Sequence, residues 1–179
     1  MELQHLIAKL YVTGDLKLDP AQVVNLFHRW VAQQSVAGTT LVDVAELLHV
    51  PHGPGVIAVG VEADYAIDHT DGKWGVLYRH KTALPGSNAD RVAHALKAAA
   101  AAAKLIEDEY KGQIAVSRTQ FEIVVNDRAL APNTPATFAA AKADLEAGVK
   151  AFLGHANFTL TAQGGDARRR FGVTVSSKG

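Results

Sequence analysis

Residues 62–81 decide the fold, and they read Glu-Ala-Asp-Tyr-Ala-Ile-Asp-His-Thr-Asp-Gly-Lys-Trp-Gly-Val-Leu-Tyr-Arg-His-Lys. The dipeptide Asp71-Gly72 predicts a tight hairpin turn, because both residues tolerate the positive φ angles that a type I′ turn requires. Centring the turn there pairs Ile67 with Val76, Tyr65 with Tyr78, Ala63 with His80, Asp68 with Gly75, Asp64 with Arg79 and Glu62 with Lys81. Opposite charges across the strands favour this register. The stretch therefore predicts an antiparallel hairpin with one apolar face and one solvated, salt-bridged face.

Strand and helix patterns alternate on both sides of this hairpin. The further elements that we predict are strands at 7–12, 41–48 and 121–125, helices beginning at Asp19-Pro20, Ser87 and Thr134-Pro135, and a last hairpin turning at Gly164-Gly165-Asp166. The order β-α-β-β-β-α-β-α-β-β predicts an α+β fold in a single domain over 1–179. We expect one twisted, largely antiparallel sheet of about seven strands, with three helices packed mainly on one face. Segments 7–63 and 119–176 both follow βαββ, which predicts a pseudo-duplication.

The composition is that of an ordinary globular protein. Eighteen Lys and Arg balance eighteen Asp and Glu, and cysteine is absent. The absence of cysteine excludes disulfides, thiolate nucleophiles and zinc sites that need sulfur. The N-terminus lacks the basic and apolar regions of a signal peptide, and the longest low-polarity stretch, Ala98–Ala103, is too short to span a bilayer. We expect a cytoplasmic protein without a membrane partner, and its zero net charge favours self-association.

A nucleic-acid partner is not expected. Residues 20–111 follow the order α-β-β-β-α, which is similar to that of double-stranded-RNA-binding domains. Those domains carry a basic cluster at the start of the last helix, whereas residues 87–91 here read Ser-Asn-Ala-Asp-Arg. Because phosphate binding depends on such positive charge, we expect no nucleic acid to bind.

The loop at 49–55 holds two imidazoles, His49 and His52, in a frame of glycine and proline. A metal would need a third ligand. If the strand after Gly55 is continuous, His69 lies roughly 40 Å away at about 3.3 Å per residue, which excludes it as that ligand. Asp43 and Glu46 on the preceding strand, or a residue of a partner subunit, remain as candidates for that ligand, and we assign neither a metal nor another cofactor.

The only basic cluster is Arg168-Arg169-Arg170. Strand alternation turns Arg168 and Arg170 away from the core. They form either a strip that binds phosphate or carboxylate groups or a charged edge strand that resists aggregation.

Two functions follow from these residues. The first is a non-catalytic binding or interaction module that assembles as a homo-oligomer. The alternative is a small-molecule enzyme, or a sensor of an anionic metabolite, with its site near the 49–55 loop. The module would make its contacts through sheet edges or the 49–55 loop. The predicted binding residues, from which the site of the enzyme or sensor would be built, are Asp43, His49, His52, Arg168 and Arg170; catalytic residues are not assigned.

Overall fold

A computed structural model describes residues 1–178 and confirms the α+β fold. Within those residues the elements are β1 (Leu6–Val12), α1 (Gln22–Gln33), β2 (Leu41–Leu47), β3 (Gly55–Gly60), β4 (Ala63–Asp68), β5 (Gly75–His80), α2 (Asn88–Glu109), β6 (Val116–Val125), α3 (Pro135–Leu153), β7 (Phe158–Ala162) and β8 (Gly172–Ser177). The strands form one open antiparallel sheet in the order β2-β3-β4-β5-β1-β6-β8-β7.

The ends of two helices are specified by local sequence. The Ser87 hydroxyl accepts a hydrogen bond from the Asp90 amide, and the Asp90 carboxylate accepts one from the Ser87 amide, so a capping box begins α2. The Thr134 hydroxyl caps α3 by accepting a hydrogen bond from the Thr137 amide, and Pro135 lies in the first turn. Gly154 ends α3 in the left-handed conformation, at φ 80°, which is the common C-terminal arrangement.

All three helices pack against the same face of the sheet. Trp30 of α1 meets Tyr65 edge to face, with ring centroids 6.3 Å apart, and Phe152 of α3 meets Phe121 of β6 at 5.6 Å. His94 of α2 lies against Tyr78 of β5. The strand register places these sheet residues on one side of the sheet, the side that also carries the buried cross-strand row Val76, Leu10 and Phe121. The opposite face of the sheet carries no helix among the described residues.

The central hairpin forms in the predicted register. Ile67 pairs with Val76, and Asp64 pairs with Arg79. Asp71 and Gly72 both take positive φ angles, 60° and 74°, at the turn, as the type I′ prediction requires.

Two features of the sequence prediction are wrong: the number of strands between α1 and α2, and the register of the last hairpin. Residues 55–68 form two strands with a turn at 61–62 rather than one strand. The described part of the chain therefore has eight strands, and four of them lie between α1 and α2. The α-β-β-β-α order, which is similar to that of double-stranded-RNA-binding domains, is therefore not followed.

In the last hairpin Leu160 pairs with Val175, and residues 168–170 belong to the loop before β8 rather than to an edge strand.

The predicted pseudo-duplication stays a prediction. The segments β1-α1-β2-β3 and β6-α3-β7-β8 extend outward from the central pair β1–β6, with β4 and β5 lying between β3 and β1. Across residues 1–178, none of the helices has the length and apolar character needed to cross a membrane.

Candidate binding site

The helix-free face of the sheet holds a cavity of about 690 Å³. Its walls are the tip of the β4–β5 hairpin and the loop between β7 and β8. These two walls touch, because the Arg169 guanidinium pairs with the Asp71 carboxylate. The volume lies within the range of small-molecule sites, roughly 300–1,000 Å³.

The floor of the cavity is apolar at its centre. The residues that form this part are Ile7, Ile57, Ala66, Leu77 and Val124. They come from five strands and share a face because side chains alternate along each strand. An apolar floor with polar groups at its margins is the usual composition of a ligand pocket.

A buried ion pair lies at the hairpin end of the floor. The Lys9 ammonium is 2.6 Å from the Asp68 carboxylate and also donates to the carbonyl oxygen of Thr70 at 3.1 Å. The Thr70 amide and hydroxyl donate to the same carboxylate. Because both charges are compensated, this pair supports the hairpin and offers little free charge to a ligand.

Asp64 is a second buried carboxylate, and it corrects the predicted solvated face. Its oxygens accept hydrogen bonds from Arg79 Nε at 3.0 Å and from the Gly60 amide at 3.1 Å, and Lys81 Nζ lies 2.7 Å away. Burial alone would raise the pKa of Asp64, but the bonds from Lys81, Arg79 and Gly60 outweigh it and lower the pKa. Asp64 therefore holds a charge that fixes Arg79 at the cavity wall.

Among residues 1–178, no basic side chain forms a salt bridge with Glu122. Its Oε2 atom accepts a hydrogen bond from the Tyr11 hydroxyl at 2.9 Å and one from Gln163 Nε2 at 2.6 Å. Burial, and then the charge of Glu122, raise the pKa of Tyr11, so its hydroxyl keeps its proton and donates. Within residues 1–178 no hydrogen bond reaches Oε1 of Glu122, this oxygen is not fully buried, and Glu122 lines the cavity.

Positive charge collects at the other end of the cavity. Arg170 Nη1 donates to Asn126 Oδ1 at 2.9 Å, and Arg128 Nη1 donates to the carbonyl oxygen of Arg168 at 2.8 Å. In the part of the chain that the structure describes, neither Arg128 nor Arg170 forms a salt bridge. Arg168, in contrast, is paired with Asp166 at 2.6 Å.

The predicted site residues do not lie together. Arg168 and Arg170 line the cavity. His52 lies beside Gly72 at the tip of the β4–β5 hairpin, and it is not part of the cavity lining. His49 is exposed in the turn after β2. Asp43 is exposed on the edge strand β2, where its carboxylate accepts a hydrogen bond from the Val44 amide.

The predicted distance between His52 and His69 is wrong. The turn at 61–62 folds β4 back along β3, so the two imidazole centroids lie 5.4 Å apart. His69 also stacks on Trp74 with ring centroids 4.3 Å apart, and both residues line an apolar pocket of about 320 Å³. Within residues 1–178 no group of three or more His, Asp or Glu side chains is arranged to hold a metal ion.

Sequence reasoning missed Glu122, Asn126 and Arg128. The alternation of β6 could have placed Glu122 on the charged face together with the hairpin carboxylates, because it is flanked by the core residues Phe121 and Ile123. Nothing in the sequence pairs β6 with β1 and β8, however, and that pairing is what brings Glu122 and Arg170 into one cavity.

Comparison with known proteins finds neither a family model nor a curated relative that matches this chain.

Proposed function

We propose that this protein is a non-catalytic binding module, and that it holds a small anionic molecule with an apolar body on the helix-free face of its sheet. The observation that carries the proposal is the pair of guanidinium groups, Arg128 and Arg170, at one end of an apolar-floored cavity with no carboxylate partner among the described residues. Guanidinium groups bind carboxylate and phosphate through two parallel hydrogen bonds.

The neighbouring charges favour an anion at that end. Arg79 and Lys81 share the single carboxylate of Asp64, so this cluster also carries excess positive charge. The cavity floor beside it is Ile7 and Val124, which provide apolar contact for the body of a ligand. Burial of that apolar surface contributes about 25 cal/mol per Å² to binding.

A medium-chain carboxylate tests this proposal. We expect octanoate to raise the melting temperature of the wild-type protein and to bind in calorimetry. Arg170→Gln should weaken that binding on the order of tenfold, the effect of losing one charge-assisted contact. Arg29→Gln, which removes the same charge from α1 on the opposite face, is the matched control. Equal binding by the Arg170 variant and the wild type would remove the proposal.

Self-association through the edge strand β2 is a second candidate function. Val42 is 55% exposed on this edge, and Val61 is 53% exposed on the adjoining turn. An open strand edge offers unpaired backbone groups to a second copy of the chain, and zero net charge opposes this association little. We expect light scattering to give the mass of a dimer, and Val42→Lys to give that of a monomer. A monomeric wild type at tens of micromolar would contradict this second proposal.

A further inference from the structure

The cavity is polarised along β6, and this polarity extends the proposed function. One end presents Arg128 and Arg170, which have no carboxylate partners among residues 1–178. The other end presents Glu122, whose Oε2 atom is occupied by two neutral donors and whose Oε1 atom is open. Both ends line the same cavity.

Of the cations near Glu122, Lys9 and Arg169 are paired with carboxylates. Lys73, whose ammonium lies 5.3 Å from the centroid of the Tyr11 ring, forms no salt bridge among residues 1–178. Lys9 bonds Asp68, and Arg169 bonds Asp71. These pairs leave Glu122 as the one acidic group of the cavity lining that no described basic side chain neutralises. A half-buried carboxylate of this kind binds most strongly to a ligand that brings a positive charge or a strong hydrogen-bond donor.

The distance between the ends sets the length of the ligand. Glu122 and Asn126, which holds Arg170, are four residues apart on one chain. At about 3.3 Å per residue their backbone positions are roughly 13 Å apart. Val124 lies midway, flanked on the neighbouring strands by Ile7 and Gly172.

We infer that the cavity recognises an elongated zwitterion, with an ammonium group at Glu122, a carboxylate or other anion at Arg128 and Arg170, and an apolar chain across Val124. This inference rests on the proposed function, because it needs the arginine end of the cavity to bind an anion. An ω-amino carboxylate of about eight carbons matches the span estimated from the strand.

Three probes of equal chain length separate the two charges: 8-aminooctanoate, octanoate and N-acetyl-8-aminooctanoate. We expect calorimetry to show that 8-aminooctanoate binds the wild-type protein on the order of tenfold more tightly than either other probe, because only it brings a cation to Glu122. Glu122→Gln should abolish this advantage and leave octanoate binding nearly unchanged. Glu146→Gln, on an exposed turn of α3, is the matched control and should retain the advantage.

The outcomes distinguish this inference from the proposed function. If octanoate binds through Arg170 and the ammonium group adds nothing, the zwitterion inference is overturned and the anion site stands. If none of the three probes binds, both fail. Since the comparison of probes is made on the wild-type protein, an unstable Glu122 variant does not remove the test.

Discussion

The ammonium of Lys9 lies 2.6 Å from the carboxylate of Asp68, and both side chains are almost fully enclosed, with 1% and 3% of their surface exposed. The pair joins β1 to the end of β4 beneath the cavity. A buried pair of this kind positions the hairpin tip that carries Asp71, and Asp71 in turn holds the loop of Arg169.

Removing one charge of this pair should be costly. We expect Lys9→Met to lower the free energy of unfolding by about 3–5 kcal/mol, because Asp68 is left buried without a counter-charge. The double variant Lys9→Met with Asp68→Asn should recover a substantial part of that loss. Urea denaturation measures both values, and a double variant whose loss equals the sum of the single losses would contradict the pairing.

The free energy of unfolding should depend on pH through a histidine network between the sheet and α2. The Tyr78 hydroxyl lies 2.7 Å from His80 Nδ1 and 3.1 Å from His94 Nε2. Burial lowers the pKa of both histidines, and for His80 the neighbouring His94 and His5 lower it further, against a smaller opposing effect of Glu62. The unfolded chain therefore binds more protons than the folded one as the pH falls below about 6.5, the ordinary histidine pKa.

Because the unfolded chain takes up these protons first, the free energy of unfolding falls as the pH falls. The stability contributed by the neutral histidines is present above pH 6.5 and is lost as the pH falls towards their pKa values in the folded protein. We expect the melting temperature to fall between pH 7 and pH 5, and His80→Gln to make that fall shallower. His28→Gln, on an exposed position of α1, serves as the control. An identical pH profile for the His80 variant and the wild type would show that this network does not titrate on unfolding.

The packing of α3 on α2 should not tolerate a methyl group at Gly148. A Cβ atom there would lie 2.5 Å from Val92 Cβ, which is fully buried. Overpacking costs about 1–3 kcal/mol, and the helix propensity gained from alanine offsets about 1 kcal/mol of it. We expect Gly148→Ala to lower the midpoint of urea unfolding, whereas Gly164→Ala, where nothing lies within 4 Å, should leave it unchanged. A more stable Gly148 variant would contradict this packing.

Zinc should leave the melting temperature unchanged. His52 and His69 are adjacent, but a zinc site needs at least three protein ligands, and no third His, Asp or Glu of residues 1–178 joins them. Differential scanning fluorimetry with and without Zn²⁺ is sufficient to measure this. A stabilisation of several degrees that His52→Ala abolishes would show a metal site at this loop.

The sequence predicted the fold well where short-range signals are strong. The Asp71-Gly72 turn and the charge complementarity of Asp64 and Arg79 determined the register of the central hairpin, which is confirmed. The turn at Val61-Glu62 was missed because the apolar pattern runs through it without the usual turn residues at its centre. Because of this one error, the predicted distance between His52 and His69 was far too long, whereas their rings are in fact neighbours.

The cavity could be predicted only in part. Arg168 and Arg170 were identified by their clustering, but the nine residues between β7 and β8 leave the register of that hairpin open, so they were assigned to a strand. Glu122 could not be predicted as a site residue for a different reason. It shares a cavity with the arginines only because β6 pairs with both β1 and β8, and these two strands are remote from each other in sequence. Sheet order, rather than local pattern, decides which charges converge.

The most direct test of the binding site is a titration of ¹⁵N-labelled protein with octanoate, followed by amide chemical shifts. We expect the largest changes on the amides of Ile7, Val124, Asn126 and Arg170, with α1 and α3 unaffected. In Arg170→Gln the same changes should require about tenfold more octanoate. Shifts confined to the pocket of His52, His69 and Trp74, or spread over the helices, would contradict an anion site on the open face of the sheet.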